Sequence, residues 1–138
     1  MKKRISILGS TGSIGTQALE VIEKLSDKFE IISLSAGSNI ELLNKQISKF
    51  NPKSVCINDK SQLQDVAGCK TVLYGKEGLE EICSNKETDI ILVAVSGKIG
   101  LNPTITAIKH GINIALANKE TLVMAGNIVM DLARENGV

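Results

Sequence analysis

Three glycines spaced three apart, in Gly9-Ser10-Thr11-Gly12-Ser13-Ile14-Gly15, follow directly on the apolar run 5–8 and open a stretch of helical period. Glycines at a strand-to-helix turn are suited to phosphate. The first permits the tight turn, the second lets the backbone approach a pyrophosphate, and the third lets the helix pack closely on the strand. The free N–H groups and partial positive charge of the helix start then face the anion. Thr11 and Ser13 add hydroxyl donors. The plain alternative is a flexible turn at a helix start. Placement at the first strand-to-helix junction, where a dinucleotide site needs it, favours cofactor binding.

The end of the second apolar run, 31–36, is the next place where chemistry is expected. An NAD site usually carries an Asp or Glu there, which accepts hydrogen bonds from the ribose 2′-hydroxyl. This chain has Ala36-Gly37-Ser38-Asn39. A 2′-phosphate would meet no carboxylate, and Ser38, Asn39 and nearby N–H groups could donate to it, which favours NADP over NAD. Ser38 or Asn39 could equally cap a helix starting near Ile40. The two roles are compatible, because a cap and a phosphate use the same helix end.

Asn118-Lys119-Glu120 places an amide, an ammonium and a carboxylate just after the run 112–117, read as a buried strand. Lys119 could hydrogen-bond a phosphorylated or hydroxylated substrate, and Asn118 or Glu120 could orient a nicotinamide. Alternatively, Asn118 caps a helix whose first turn holds Lys119 and Glu120 in water; spacing alone does not separate these. His110, the one histidine, precedes Gly111 at the end of a helical stretch, where a cation suits the helix dipole. Cys56, Cys69 and Cys83 have neither metal-site nor redox-motif spacing, so they read as free thiols. No cluster has the spacing of a metal site.

The elements that must position these residues follow from periodicity. Apolar runs of strand length lie at 5–8, 31–36, 54–57, 71–73, 90–95 and 112–117. Between them, Leu19, Val21, Ile22 and Leu25 mark one helical face, Ile40, Leu42, Leu43, Ile47 and Phe50 a second, and Leu101, Ile105 and Ile108 a third. Asn102 is the expected N-cap of that third helix, with Pro103 at its first position. Asn58-Asp59-Lys60-Ser61 suggests a turn into a short helix before Gly68. A last helix is expected at 122–136, closed by Gly137.

Alternating strands and helices imply α/β architecture, a Rossmann-type three-layer sandwich with a mainly parallel sheet. The C-terminal strand ends then share one edge, so Gly9, Gly37, Gly97 and Asn118 are expected to line one crevice. At 138 residues one domain, 1–138, is expected. With one Tyr, two Phe and a net charge of +1, the chain lacks the basic stripe and aromatic platform of a nucleic-acid binder. No apolar stretch has the length of a signal peptide's core or a membrane span, so a cytoplasmic location is expected.

Leu8 to Gly15, Ala36-Gly37-Ser38-Asn39 and Ala115-Leu116-Ala117-Asn118-Lys119-Glu120-Thr121-Leu122-Val123 resemble, in order and separation, the 1-deoxy-D-xylulose 5-phosphate reductoisomerase family. The resemblance runs over essentially the whole chain. It implies rearrangement and NADPH-dependent reduction of a phosphorylated sugar, 1-deoxy-D-xylulose 5-phosphate, to 2-C-methyl-D-erythritol 4-phosphate in isoprenoid synthesis. Mg or Mn and a homodimer are implied too. By motif, Thr11, Gly12, Ser13 and Ile14 would hold the pyrophosphate side of NADPH. Gly37, Ser38 and Asn39 would surround the 2′-phosphate, Asn118 and Glu120 would contact the cofactor deeper in the cleft, and Lys119 would reach the substrate.

Two departures are visible. Many members carry a basic residue where Ser38 stands, and the Asp-Ser-Glu metal motif of the family lies beyond Val138. The sequence therefore reads as a truncated chain that binds NADPH without catalysing alone. The competing expectations are another NADP-dependent enzyme, such as a semialdehyde or homoserine dehydrogenase, and a stand-alone NADPH-sensing module.

Overall fold

Short runs rich in Ile, Leu and Val make the strands, because β-branched and aliphatic side chains fill a sheet covered on both faces. The computed structural model describes residues 1–95, 97–117 and 119–138, except the side chains at 97, 98, 119–122 and 124. The strands are β1 (Lys3–Leu8), β2 (Phe29–Ser35), β3 (Ser54–Ile57), β4 (Thr71–Tyr74), β5 (Ile90–Val93) and β6 (Asn113–Leu116). They form one sheet in the order β4-β3-β2-β1-β5-β6, and every neighbouring pair is parallel. Strand order reverses between β1 and β5, which makes the crevice above them a topological switch point.

The helices are α1 (Ser13–Lys24), α2 (Ile40–Phe50), α3 (Gly75–Cys83), α4 (Leu101–Lys109) and α5 (Lys119–Glu135). Two cores lie on opposite faces of the sheet. Leu19 and Ile22 of α1 and Leu43 and Ile47 of α2 pack with Ile5, Ile7, Leu34 and Val55. Ile82 and Cys83 of α3 and Ala107 of α4 pack with Leu8, Ile91 and Val93. These layers are the expected three-layer sandwich.

Several expectations need correction. Val21, placed on the apolar face of α1, is 55% exposed, because it points away from the Leu19–Ile22 stripe. Asn102 does not cap α4; a 3-10 turn, Gly97–Gly100, runs straight into the helix, and Gly100 takes the cap position. Pro103 therefore sits at the third helical position, still within the turn whose N–H groups have no partner in the helix. The strand β6 is not buried but lies at the sheet edge, with Asn113 and Ala115 exposed. Its last helix starts earlier than expected, at Lys119, and departs from helical geometry at Ala125 (φ −147°, ψ 25°). Sequence periodicity missed α3 altogether.

The lower edge of the sheet is tied across the switch point. Arg4 on β1 grips Asp89, just before β5, through Nε (3.2 Å), Nη2 (3.1 Å) and its backbone N–H (2.8 Å). Beside it the buried hydroxyls of Ser6 and Thr88 are 2.9 Å apart. These bonds set the height of β5 against β1, and so of the two strand ends that flank the crevice.

Candidate functional site

The glycine loop is held by β2 and α2 as well as by its own strand. Gly9 leaves β1 with φ +87°, a left-handed conformation that glycine adopts without strain. Its N–H donates to both the carbonyl oxygen and Oγ of Ser35, each at 3.1 Å, and the Ser10 N–H donates to the same carbonyl at 2.8 Å. From α2, the buried Gln46 side chain donates Nε2–H to the Ser10 carbonyl oxygen at 2.8 Å. The loop is thus rigid before any ligand arrives, which lowers the ordering cost of binding.

The three glycines do different work. A Cβ on Gly9 would lie 2.7 Å from the Ala94 carbonyl oxygen, and one on Gly15 would lie 2.1 Å from the Gly9 carbonyl oxygen. The fold itself requires these two. Gly12 is different: its φ is −80°, and a Cβ there would meet only the Gly9 oxygen, at an ordinary 3.6 Å. Nothing in the folded chain demands a glycine at 12. A ligand backing directly onto the loop would demand one.

Gly12 occupies the N-cap of α1, where no side chain caps the helix and no acidic residue stands in the first turn. The first N–H groups of a helix have no intrahelical partner, so this end offers donors to an anion. Thr11 is half-buried, Gly12 and Ser13 are exposed, and Ile14 is 47% exposed. The four expected phosphate-side residues therefore share one accessible helix end.

Beside the loop a narrow cavity of about 140 Å³ runs between the strand ends, walled by Gly9, Gly37, Ile57, Asn58, Val95 and Ile99. It meets a wider cavity of about 450 Å³ that shares Asn58, Gly75, Leu79 and Ile99 and adds Lys76 and Glu80. Gly9 and Gly37 line one crevice as expected. Ile99, in the 3-10 turn that follows β5, lines it too. Gly37, Ser38 and Asn39 are exposed at its rim. Asn39 is the N-cap of α2, its Oδ1 accepting from the Leu42 N–H at 3.2 Å, so its side-chain amide N–H groups remain for a ligand.

Ser96 and Asn118 lie outside the described residues, as do the side chains of Lys119 and Glu120. The backbone at 119–120 starts α5. His110 ends α4, with Nδ1 2.8 Å from the Thr106 carbonyl oxygen, and is a helix-terminal residue as expected.

Sequence reasoning passed over Ser35 and Gln46, which brace the loop, and the wall at Asn58, Gly75, Lys76 and Leu79. The rule that singled out Gly37 after β2 would have found Asn58, which immediately follows β3. Gly75 and Lys76 belong to α3 and stayed hidden with it. Cys56, also in the wall of the narrow cavity, is buried, which pushes its thiol up to about 12, so it is neutral and unreactive at neutral pH. Among the described residues no group of three or more His, Cys, Asp or Glu could hold a metal ion. None of the described helices is long and apolar enough to cross a membrane.

Comparison with known proteins places this geometry. A family model described as 1-deoxy-D-xylulose 5-phosphate reductoisomerase matches residues 5–126. The reductoisomerase of Macrococcus caseolyticus is 49% identical over 137 residues, covering 99% of this chain and 36% of the relative. That of Clostridium perfringens strain SM101 is 50% identical over 143 residues, covering 99% and 37%. The chain thus spans about a third of the length of the curated relatives it matches.

Among solved structures, the Zymomonas mobilis reductoisomerase in complex with NADPH superposes with a TM-score of 0.91 at 34% identity, over 99% of this chain and 37% of that one. A hyperthermophilic archaeal homoserine dehydrogenase in complex with NADPH superposes at 0.72 with 21% identity, over 100% of this chain and 42% of that one. That second likeness is one of fold alone.

Proposed function

Because the chain belongs to the 1-deoxy-D-xylulose 5-phosphate reductoisomerase family, we propose that residues 1–138 form the NADPH-binding domain of such an enzyme. The observation that carries this is Gly12, a glycine for which the fold has no use and a pyrophosphate does. The whole enzyme would convert 1-deoxy-D-xylulose 5-phosphate to 2-C-methyl-D-erythritol 4-phosphate, in the cytoplasm and as a homodimer. NADPH, when bound, supplies the hydride for that reduction.

This chain's residues bind and orient. The N–H groups opening α1, with the Thr11 and Ser13 hydroxyls, hold the pyrophosphate, and Gly12 lets it approach. Ile14, an exposed apolar side chain in the first turn, shields those bonds from water on one side. Gly37 leaves open space, and Ser38 and Asn39 donate to the 2′-phosphate. By the family's motif, Asn118 and Glu120 would contact the nicotinamide half and Lys119 the phosphorylated sugar; in the sequence all three come just after β6. Mg or Mn would take its ligands from the length of the relatives that this chain does not span.

The Zymomonas mobilis relative was solved with NADPH, and its match over 99% of this chain supports the same cofactor here. Calorimetric titration with NADPH and NADH tests it directly. NADPH is expected to bind; if neither dinucleotide binds at millimolar concentration, the assignment is wrong.

A further inference from the structure

The 2′-phosphate of NADPH is a dianion, and the rim at 37–39 meets it with a glycine, a hydroxyl and an amide, none of them charged. Neutral donors distinguish phosphate from hydroxyl weakly, because charge-assisted bonds are about twice as strong. A cation facing the same crevice would supply the difference. Among the described residues that line the crevice and the wider cavity opening from it, Lys76 is the only one.

We infer that Lys76, from the wall opposite Ser38, is the residue that recognises the 2′-phosphate and separates NADPH from NADH in this chain. The inference rests on the NADPH-binding reading above. Gly37 and Gly75 both line the narrow cavity, and a Cβ at either would meet nothing within 4 Å, so the residues that follow them, Ser38 and Lys76, leave one crevice from positions that no neighbour crowds. Lys76 is exposed, and its flexible four-carbon stem can carry the ammonium across. Glu80 lines the wider cavity one turn further along α3, yet no ion pair joins it to Lys76 among the described residues.

Four other described lysines, Lys45, Lys49, Lys53 and Lys60, are engaged elsewhere. Lys60 stands 5.6 Å from the centroid of the Tyr74 ring, an attractive cation–π arrangement. On α2, Lys45 pairs with Glu41 and Lys49 with Glu23, and both lysines line a separate cavity between α1 and α2. Lys53 pairs with Glu87 near the opposite edge of the sheet.

The test is calorimetric titration of the wild-type chain and of Lys76→Met with NADPH, NADH, 2′,5′-ADP and 5′-ADP. Lys76→Met should weaken NADPH and 2′,5′-ADP by roughly fivefold, the scale of a partly exposed ion pair, and leave NADH and 5′-ADP as they were. Adding Ser38→Arg to Lys76→Met should restore the lost affinity from the other wall. Equal weakening of phosphorylated and unphosphorylated ligands, or none, would overturn the inference while the NADPH-binding domain stands. Wild-type chain that binds NADPH and NADH equally would overturn it too. Binding of neither dinucleotide would remove the underlying reading along with it.

Discussion

Gly15 packs so tightly under the Gly9 carbonyl that a Cβ on Gly15 would lie 2.1 Å from that oxygen and 2.7 Å from the Ser10 Cα. Both obstacles are backbone, held in turn by Ser35 and Gln46, so neither moves cheaply. Gly15→Ala must push α1 away from the loop. We expect a loss of about 2–3 kcal/mol, the upper part of the range for overpacked sites, read as a lower urea midpoint at unchanged slope. A variant as stable as wild type would mean that the loop yields more readily than this bracing allows.

Gly12, three residues earlier, should give the opposite result. A side chain there meets no backbone closer than ordinary contact, and its φ of −80° suits any residue. Gly12→Val should stay within about 1 kcal/mol of wild type, the scale of an N-cap change, yet lose NADPH binding in calorimetry. Normal NADPH binding by the variant would place the cofactor elsewhere.

The contrast between the two glycines marks what was legible in the sequence. Their spacing revealed the loop and its place after β1, because a turn, a close approach and a tight helix contact each leave a glycine. β3 was read to the residue and the other strands to within two residues at each end, since aliphatic runs survive in any context. The outer residues Lys3, Arg4, Phe29 and Glu30 were missed because strand ends beyond the core need no apolar pattern.

The helix α3 was illegible for a physical reason. Gly75 and Gly78 weaken any helical pattern over this stretch, yet a Cβ on Gly78 would lie 2.7 Å from the Cys56 Sγ. Packing of this helix on β3 requires the residue that helix propensity disfavours. With α3 unseen, the far wall of the crevice and Lys76 were unseen too. Strand order was equally hidden: right-handed crossovers constrain topology, but which edge β5 joins depends on contacts such as Arg4 with Asp89.

That pair predicts a pH dependence. The Arg4 side chain, and then its backbone N–H, hold the Asp89 carboxyl below its ordinary value of 3.8. A carboxyl with a lower pKa folded than unfolded contributes its full stability above the ordinary value, and loses it as pH falls through the lowered one. Asp89→Asn should therefore lower the urea midpoint at neutral pH and flatten its decline in acid. An acid limb as steep as that of wild type would show that other carboxylates, such as Glu87 beside Lys53, carry the effect.

The cysteines predict a thiol count. Cys56 and Cys83 are buried at 1% and 0% exposure, and burial pushes both thiols up to about 12. Cys69 is only partly covered, with Sγ 3.6 Å from the Pro52 carbonyl oxygen. A thiol reagent acts on the accessible thiolate, so a chromogenic disulfide at neutral pH should titrate Cys69 in the folded chain and all three cysteines in denaturant. Cys56 tests the crevice as well, because it lies in the wall beneath Gly78. If Cys56 reacted as fast as Cys69 in the folded chain, α3 would not be closed over β3, and the cavity carrying Lys76 would not have the shape described.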